Sequence, residues 1–399
     1  MTNSDCQPTE FHKQLLSPGL LLLSDVIEPH LFRIVGGAVR DCLMGRPVHD
    51  IDLATNLKPE EVIKRLEAAG FKAIPTGLSH GTVTAVVRGE TFEITTLRKD
   101  VSTDGRRAEI SFTDDWMEDA ARRDFTINAL SLSIDGILYD PFGGVEDCRH
   151  GKIRFVGDSQ QRIKEDYLRI LRLFRFQSQL GIEPISDDDL DAVRLNKDGV
   201  KSLSGERLWQ ELSKTLVSPC LVTVLPLMIQ TGVLGTFLPE PFHCENWEYL
   251  TSCELEFDQP NPIRRLAYLL GLDTQIMKFA AQRLKLSRKE RTRLQALVKP
   301  PDTNIFHDLV EDGRETALSR VLLQAAFSGS TNDKALTTIQ EWDHRSLPLT
   351  GRDLRNLGIE EGKEIGLVLR RVQSWWIDNL CQPSHQGCLD FVKSDLSIR

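Results

Sequence analysis

The sequence predicts an α/β head, a small mixed sheet with helices over residues 1–150, followed by an all-helical remainder in three segments at 151–200, 201–300 and 301–399. Three observations predict it. An apolar run at 31–35 passes through Gly36 and Gly37 into a helix-like stretch, the joint of a strand with a helix. Two strand-like runs rich in Thr, Val, Ile and Phe at 81–87 and 91–97 bracket Arg88-Gly89-Glu90, the pattern of an antiparallel hairpin. Beyond about residue 150 strand signals nearly vanish and helical spacing takes over.

Length and composition bound the rest. A chain of 399 residues with 40% hydrophobic content can bury more than one core, so two to four domains are expected. The net charge of −9 gives no global sign of a nucleic-acid partner, and local charge matters more. The eight cysteines show no metal-ligand spacing, and no charged-then-apolar leader opens the chain, so disulfides and secretion are not expected. The longest leucine run, at 20–23, is too short to span a bilayer. These features predict a cytoplasmic protein with no membrane association and no evident protein partner.

In chain order, residues 31–35 read as a buried strand and 38–44 as a short helix. Residues 59–70 have helical periodicity and close on a glycine. The hairpin follows. Residues 98–119 turn charged and glycine-containing without a sustained period, which predicts a mobile loop with a functional role. Asp140-Pro-Phe-Gly-Gly reads as a turn after a short strand. Residues 161–180 carry apolar side chains at nearly helical spacing and predict one amphipathic helix, and 203–216, 262–270, 273–284 and 288–298 continue in the same style.

The chemistry concentrates in two places. In HDIDLAT, Asp50 and Asp52 flank Ile51; on a strand both carboxylates leave one face while Ile51 points into the core. Alone, an Asp-X-Asp is more often a turn or strand-end signal than a ligand pair. Just upstream, Gly36 and Gly37 let backbone amides approach an anion at a helix start, with Arg40 available for a phosphate. Together these residues suit a magnesium site for nucleotidyl transfer. Glu93, on the second hairpin strand, is either a third acidic group beside the pair or an exposed strand glutamate.

The second place is the helix at 165–175, where Arg169, Arg172 and Arg175 form a slowly turning basic stripe. Asp166 precedes Arg169 by three residues, so the two can lie side by side. One reading is an ion pair on a solvated face. The other is base recognition: cytosine and adenine each present an amino donor beside a ring acceptor, and a carboxylate next to a guanidinium supplies the matching acceptor and donor.

The stretches LFRIVGGAVRDCLMGRPVHDIDLAT, FEITTLR, EDAARRDFTINAL, DPFGG and EDYLRILRLFRF, spread over roughly residues 30–180, together resemble the class II branch of the nucleotidyltransferase superfamily. That branch contains the bacterial tRNA CCA-adding enzymes and poly(A) polymerases. The resemblance implies a nucleotidyltransferase head followed by helical neck, body and tail. It makes Asp50 and Asp52 the ligands of Mg2+, with Glu93 assisting. Gly36, Gly37, Arg40 and Arg123 would contact the incoming nucleotide, Asp166 and Arg169 would act as the amino-acid template for C and A, and Arg172 and Arg175 would touch phosphate or sugar. The implied partners are tRNA, with CTP and ATP as substrates. Residues 76–84 look like the CCA-adding version of that region, so addition of C, C and A is preferred over a poly(A) polymerase or an enzyme adding only C or only A. A non-catalytic RNA-binding protein on the same fold is the alternative from a different class. The 98–119 segment is expected to assist the switch from C to A.

Farther on, Arg283, Lys285, Arg288, Lys289, Arg291 and Arg293 cluster around one helix start, and glycines at 351, 358, 362 and 366 fall near others. They offer either an RNA surface or ordinary solvated helices with glycine caps. Trp375 and Trp376 read as a stacking platform or as helix packing. His307-Asp308 lacks matching upstream histidines, so no phosphohydrolase domain is expected.

Overall fold

The computed structural model describes residues 6–8, 13–103, 108–359 and 362–395. The chain divides into two compact units, Met1–Phe237 and Leu238–Arg399. In the first, the strands β1 (Cys6–Pro8), β2 (Phe32–Val35), β3 (Asp52–Thr55), β4 (Lys72–Gly77), β5 (Thr82–Val87) and β6 (Glu90–Thr96) join two later ones, β9 (Ser131–Leu132) and β10 (Ile137–Tyr139). Their order is β1-β10-β9-β2-β3-β6-β5-β4. Every ladder is antiparallel except β3 with β6, so the sheet is mixed.

Period-two alternation sorts the two faces. Ile34, Leu53, Val83, Ile94 and Leu132 are fully buried on one side, where α1 (Pro18–Ile27) and α3 (Pro59–Ala68) pack on each other and on β5. The opposite face carries one transverse row, Tyr139, Ser131, Val35, Asp52 and Glu93, each in register with the next. The β5–β6 hairpin closes in two residues because Arg88 and Gly89 both take positive φ, 51° and 82°.

The expected mobile loop at 98–119 is regular structure. Arg98–Thr103 (β7) and Ala108–Phe112 (β8) pair antiparallel as a separate ribbon, and Trp116–Ala121 forms α4. The tip at 104–107 lies outside the described residues. The predicted helix at 161–180 is two helices, α6 (Ser159–Glu165) and α7 (Leu168–Leu180), with α5 (Gly144–His150) before them. The break falls at Asp166, whose backbone is extended, φ −152° and ψ 108°. Next come α8 (Asp187–Asn196), α9 (Gly205–Leu216) and α10 (Leu221–Gln230); α7 packs on α9 and α10.

The second unit is helical throughout its described residues: α11 (Trp247–Phe257), α12 (Pro262–Leu269), α13 (Thr274–Arg283), α14 (Arg288–Ala296), α15 (Ile305–Glu311), α16 (Arg314–Ser328), α17 (Asp333–Gln340), α18 (Gly351–Asn356), α19 (Lys363–Asp378) and α20 (His385–Asp395). Buried charges tie it internally. The Glu254 carboxylate accepts from Arg264 at 2.9 Å and from Arg265 at 2.7 Å, and Asp308 accepts from Arg320 at 2.5 Å. Asp308 is therefore structural, and His307 faces Asp378 at 3.1 Å. Trp376 is buried, and Trp375 stacks on Phe391 with centroids 4.4 Å apart, so this pair is helix packing rather than an open platform. Among the described residues no helix is long and apolar enough to cross a membrane.

Candidate active site

The face of the sheet that carries the transverse row opens into a cleft of about 680 Å³ in the first unit, and eight arginines and five carboxylates line it. Val35, Ala54, Asp52 and Glu93 form part of its sheet side. Asp52 starts β3 and pairs directly with Glu93 of the parallel β6, which brings the two carboxylates to the same face. The expectation of a strand carrying both aspartates is corrected here. β3 begins at Asp52, because β2 ends at Val35 and turns into α2 (Gly37–Leu43), leaving Asp50 without a ladder partner on that side. Asp50 is exposed in the preceding loop, and Ile51 is only half-buried.

Asp50 remains close enough to act on Asp52. Burial first, then the Glu93 and Asp50 carboxylates, push the Asp52 carboxyl above its ordinary range, against the opposing pull of Arg123. Among the described residues no side chain donates a hydrogen bond to Asp50, Asp52 or Glu93, and no group of three or more acidic, His or Cys side chains is drawn together as a metal nest. Glu93 thus stands beside Asp52 without completing a three-carboxylate cluster.

The arginine side is built differently. Gly36 joins β2 to α2 with φ 65° and ψ −122°, a conformation that needs glycine. It also leaves room for Arg123, since a Cβ there would lie 3.0 Å from the Arg123 Nη1. On α2, Arg40 donates to both oxygens of Asp41 at 2.9 Å and to Asn128 Oδ1 at 2.7 Å. Asp119, buried on α4, accepts from Arg122 at 2.6 Å and from Arg123 at 3.2 Å. Burial alone would raise its carboxyl, but the two guanidinium groups and the Arg98 amide outweigh that and hold it below the usual carboxylate range. Asp124 repeats the arrangement with Arg172 at 2.5 Å, Asn128 and its neighbouring amide, and it too is held low despite full burial. Arg175 pairs with Glu211 of α9 at 2.5 Å and lies 4.1 Å from the centroid of Phe176.

The base-reading pair is brought together otherwise than expected. Asp166 does line the cleft, but its Oδ2 accepts from Arg207 of α9 at 2.7 Å and its Oδ1 from the Leu168 amide at 3.1 Å. Arg169 is 8% exposed and donates to Glu165 at 2.6 Å and to the carbonyls of Arg162 and Arg122. The partner of Asp166 is therefore Arg207, not Arg169.

The family profile described as "Poly A polymerase head domain" matches residues 32–154, and one described as "Probable RNA and SrmB- binding site of polymerase A" matches 184–244. The mitochondrial CCA tRNA nucleotidyltransferase 1 of Danio rerio is 40% identical over 96% of this chain and 92% of its own length. The chain belongs to the CCA tRNA nucleotidyltransferase family. The human protein of that name is 37% identical over 97% of the chain and 92% of its own. A Bacillus stearothermophilus CCA-adding enzyme, solved in complex with CTP, superposes with a TM-score of 0.73 at 29% identity, covering 91% of this chain and 94% of that one.

Within this member of the CCA tRNA nucleotidyltransferase family, the cleft gathers Asp52, Glu93, Gly36, Gly37, Arg40, Arg123, Asp166, Arg169, Arg172 and Arg175, with Asp50 at its edge. Sequence reasoning missed Arg207, Arg98, Arg122, Asp119 and Asn128. Arg122, Asp119 and Asn128 lie inside the quoted EDAARRDFTINAL stretch and were open to notice, whereas nothing local distinguishes Arg207 on α9. In the second unit Lys285, Arg288, Lys289 and Arg291 are exposed; Arg293 is paired with Glu315, and burial lowers the half-buried Arg283.

Proposed function

We propose that this protein adds C, C and A to the 3′ end of tRNA from CTP and ATP, without a nucleic-acid template. The observation that carries the reading is the cleft itself: carboxylates left unpaired face a wall of arginines, the arrangement that a triphosphate and a hydroxyl nucleophile require. The near-full-length likeness to CCA tRNA nucleotidyltransferases supports it.

Asp50 and Asp52 fit a hard divalent cation. They offer oxygen donors that no described side chain occupies, and the like charges of Glu93 and Asp50, which after burial raise Asp52, would be offset by a bound cation. Magnesium bound there supplies activation of the 3′-hydroxyl and neutralisation of charge at the α-phosphate. Arg122 and Arg123, with the amides at Gly36 and Gly37, take the triphosphate, and Arg40, Arg172 and Arg175 extend the basic wall. Asp166 accepts the amino group that cytosine and adenine share, and Arg169 donates to the ring acceptor after leaving Glu165; uracil and guanine present the reverse order and are refused. Arg207 orients Asp166 meanwhile. The exposed cations of α14 contribute phosphate contacts to the RNA.

A second reading, poly(A) synthesis, is favoured by the description of the head-domain profile. One experiment separates the two. The protein is incubated with tRNA lacking its last one, two or three nucleotides, with CTP and ATP supplied singly and together. Products that stop at CCA support the proposal, a long ladder of A supports the polymerase, and no extension with either nucleotide overturns both.

A further inference from the structure

One more arginine lies on the same face of the sheet, outside the cleft. Arg33 pairs with Ala54 on β3 and shares its face with Val35, two residues on. Its guanidinium is held between two aromatic rings, 4.0 Å from the Trp116 centroid and 3.5 Å from that of Tyr139. Trp116 opens α4 and also packs on Val35, Ala54 and Leu97. Tyr139 ends β10. With two rings within 4.0 Å, this partly buried cation gains more than it would from one ring at an exposed surface.

At its other end α4 carries Asp119, which holds Arg122 and Arg123. Arg123 lies over Gly36 and donates to the Asn128 carbonyl at 3.1 Å. The helix is thereby fastened beside β2 at two places, by Trp116 on Arg33 and by Asp119 through Arg123 on Gly36. Six residues make too few internal hydrogen bonds to hold a helix by themselves, so α4 is placed by its contacts: these two fastenings, the bonds of Thr113 and Lys99 to Glu118, that of the Arg98 amide to Asp119 and that of Arg162 to the Ala121 carbonyl.

We infer that the stack of Arg33, Trp116 and Tyr139 is a positioning device for the triphosphate-binding arginines: by fixing α4 on the sheet it fixes Asp119, and with it Arg122 and Arg123. This rests on the nucleotidyl-transfer reading above. None of the three stacked residues lines the cleft, so their effect reaches the nucleotide only through α4. The stack therefore governs nucleotide affinity and leaves base choice alone.

The test compares Trp116→Leu, which keeps an apolar side chain but removes the ring, with Trp116→Phe, which keeps a ring, and with Arg33→Met, which keeps the stem but removes the charge. Trp116→Leu and Arg33→Met should each raise the KM for CTP and ATP alike by about threefold to tenfold, with kcat and the ratio of C to A incorporation unchanged. The double variant should be no worse than either single one, Trp116→Phe should stay near the natural enzyme, and Trp116→Leu should add little to Asp119→Asn. Unchanged KM in Arg33→Met, or effects of Arg33→Met and Trp116→Leu that multiply as independent changes, would overturn the inference. Should Trp116→Leu fail to fold, Arg33→Met with Arg33→Lys as its charge-keeping control decides the matter. If the unmodified protein incorporates no nucleotide, the enzymatic reading fails, and equilibrium dialysis of CTP against the same variants still judges the stack.

Discussion

The two walls of the cleft are held together by opposite means. On the arginine wall the guanidinium groups of Arg40, Arg122, Arg123, Arg172, Arg175 and Arg207 each meet a carboxylate of the protein. On the acidic wall Asp50, Asp52 and Glu93 meet no donor among the described residues, and they crowd one another instead. Paired arginines are set in place before a ligand arrives, with their desolvation already offset. Unpaired carboxylates keep their oxygens for a cation and bear a cost in stability until one binds. The cleft therefore has a rigid side that orients and a reactive side that waits.

The largest expected effect breaks the reactive side. Asp52→Ala or Asp50→Ala should lower nucleotide incorporation by roughly a thousandfold or more while tRNA binding, measured by gel retardation, persists. Turnover retained in both variants would remove the two residues from the chemistry. Asp52→Asn should also be more stable than the natural protein at neutral pH. Because the folded-state pKa of Asp52 is raised, the protonated carboxyl favours folding; that contribution is complete below the ordinary carboxylate value and is lost as pH rises through the raised one. The gain in unfolding temperature should therefore vanish in acid, and a gain that persisted there would have another cause.

Breaking the oriented side should cost stability first. Asp124→Asn leaves Arg172 with only the more distant Glu211, at 4.0 Å, as a charged partner and should destabilise by about 3 kcal/mol in denaturant titrations at neutral pH. The sign is the reverse of Asp52: the folded pKa of Asp124 is depressed, so its contribution is present above the ordinary carboxylate value and disappears as pH falls through the depressed one. Natural and variant proteins should converge at low pH, and a constant difference would show that charge is not what Asp124 provides.

Smaller and more selective is Asp166→Asn, expected to change the preference for CTP and ATP over UTP and GTP by about tenfold to a hundredfold with little change in unfolding temperature. Equal losses for all four nucleotides would assign Asp166 to structure. Glu93→Gln should lower the pKa of Asp52, read by carbon NMR of its carboxyl, because it removes the nearest like charge. The smallest effect should come from Lys289→Ala or Arg291→Ala on α14, each reducing tRNA affinity a few-fold and lowering its salt slope by about one. A loss of affinity insensitive to salt would argue against phosphate contacts there.

Much of this was legible in the chain because it is locally encoded. The strand-to-helix joint at Gly36, the Arg88-Gly89 turn and the helices α3, α9, α12, α13 and α14 follow from apolar period and turn chemistry, and they stand within a few residues of expectation. What escaped depends on distant partners. The β7–β8 ribbon lies in a charged, glycine-containing stretch, and its root is fixed by the Thr113 amide on the Leu97 carbonyl, the Arg98 amide on Asp119 and Phe112 lying over Gly81. The break at Asp166 interrupts a sound helical period; it is held by Arg207 from another helix and by Tyr167 resting where Gly199 has no side chain. The sequence sets Arg169 beside Asp166, but on a regular helix Glu165 lies equally within its reach, and only the break at Asp166 decides for Glu165.

Gly36 carries a consequence for how this enzyme can vary. Its dihedral angles exclude residues with a Cβ, asparagine among them, and the space beside it is filled by the Arg123 guanidinium. Relaxing either constraint leaves the other in force. No single substitution at position 36 is silent, and none at Arg123 rescues it, so the joint between strand and helix is a point from which the sequence has no neighbouring path, and diversification must proceed around it.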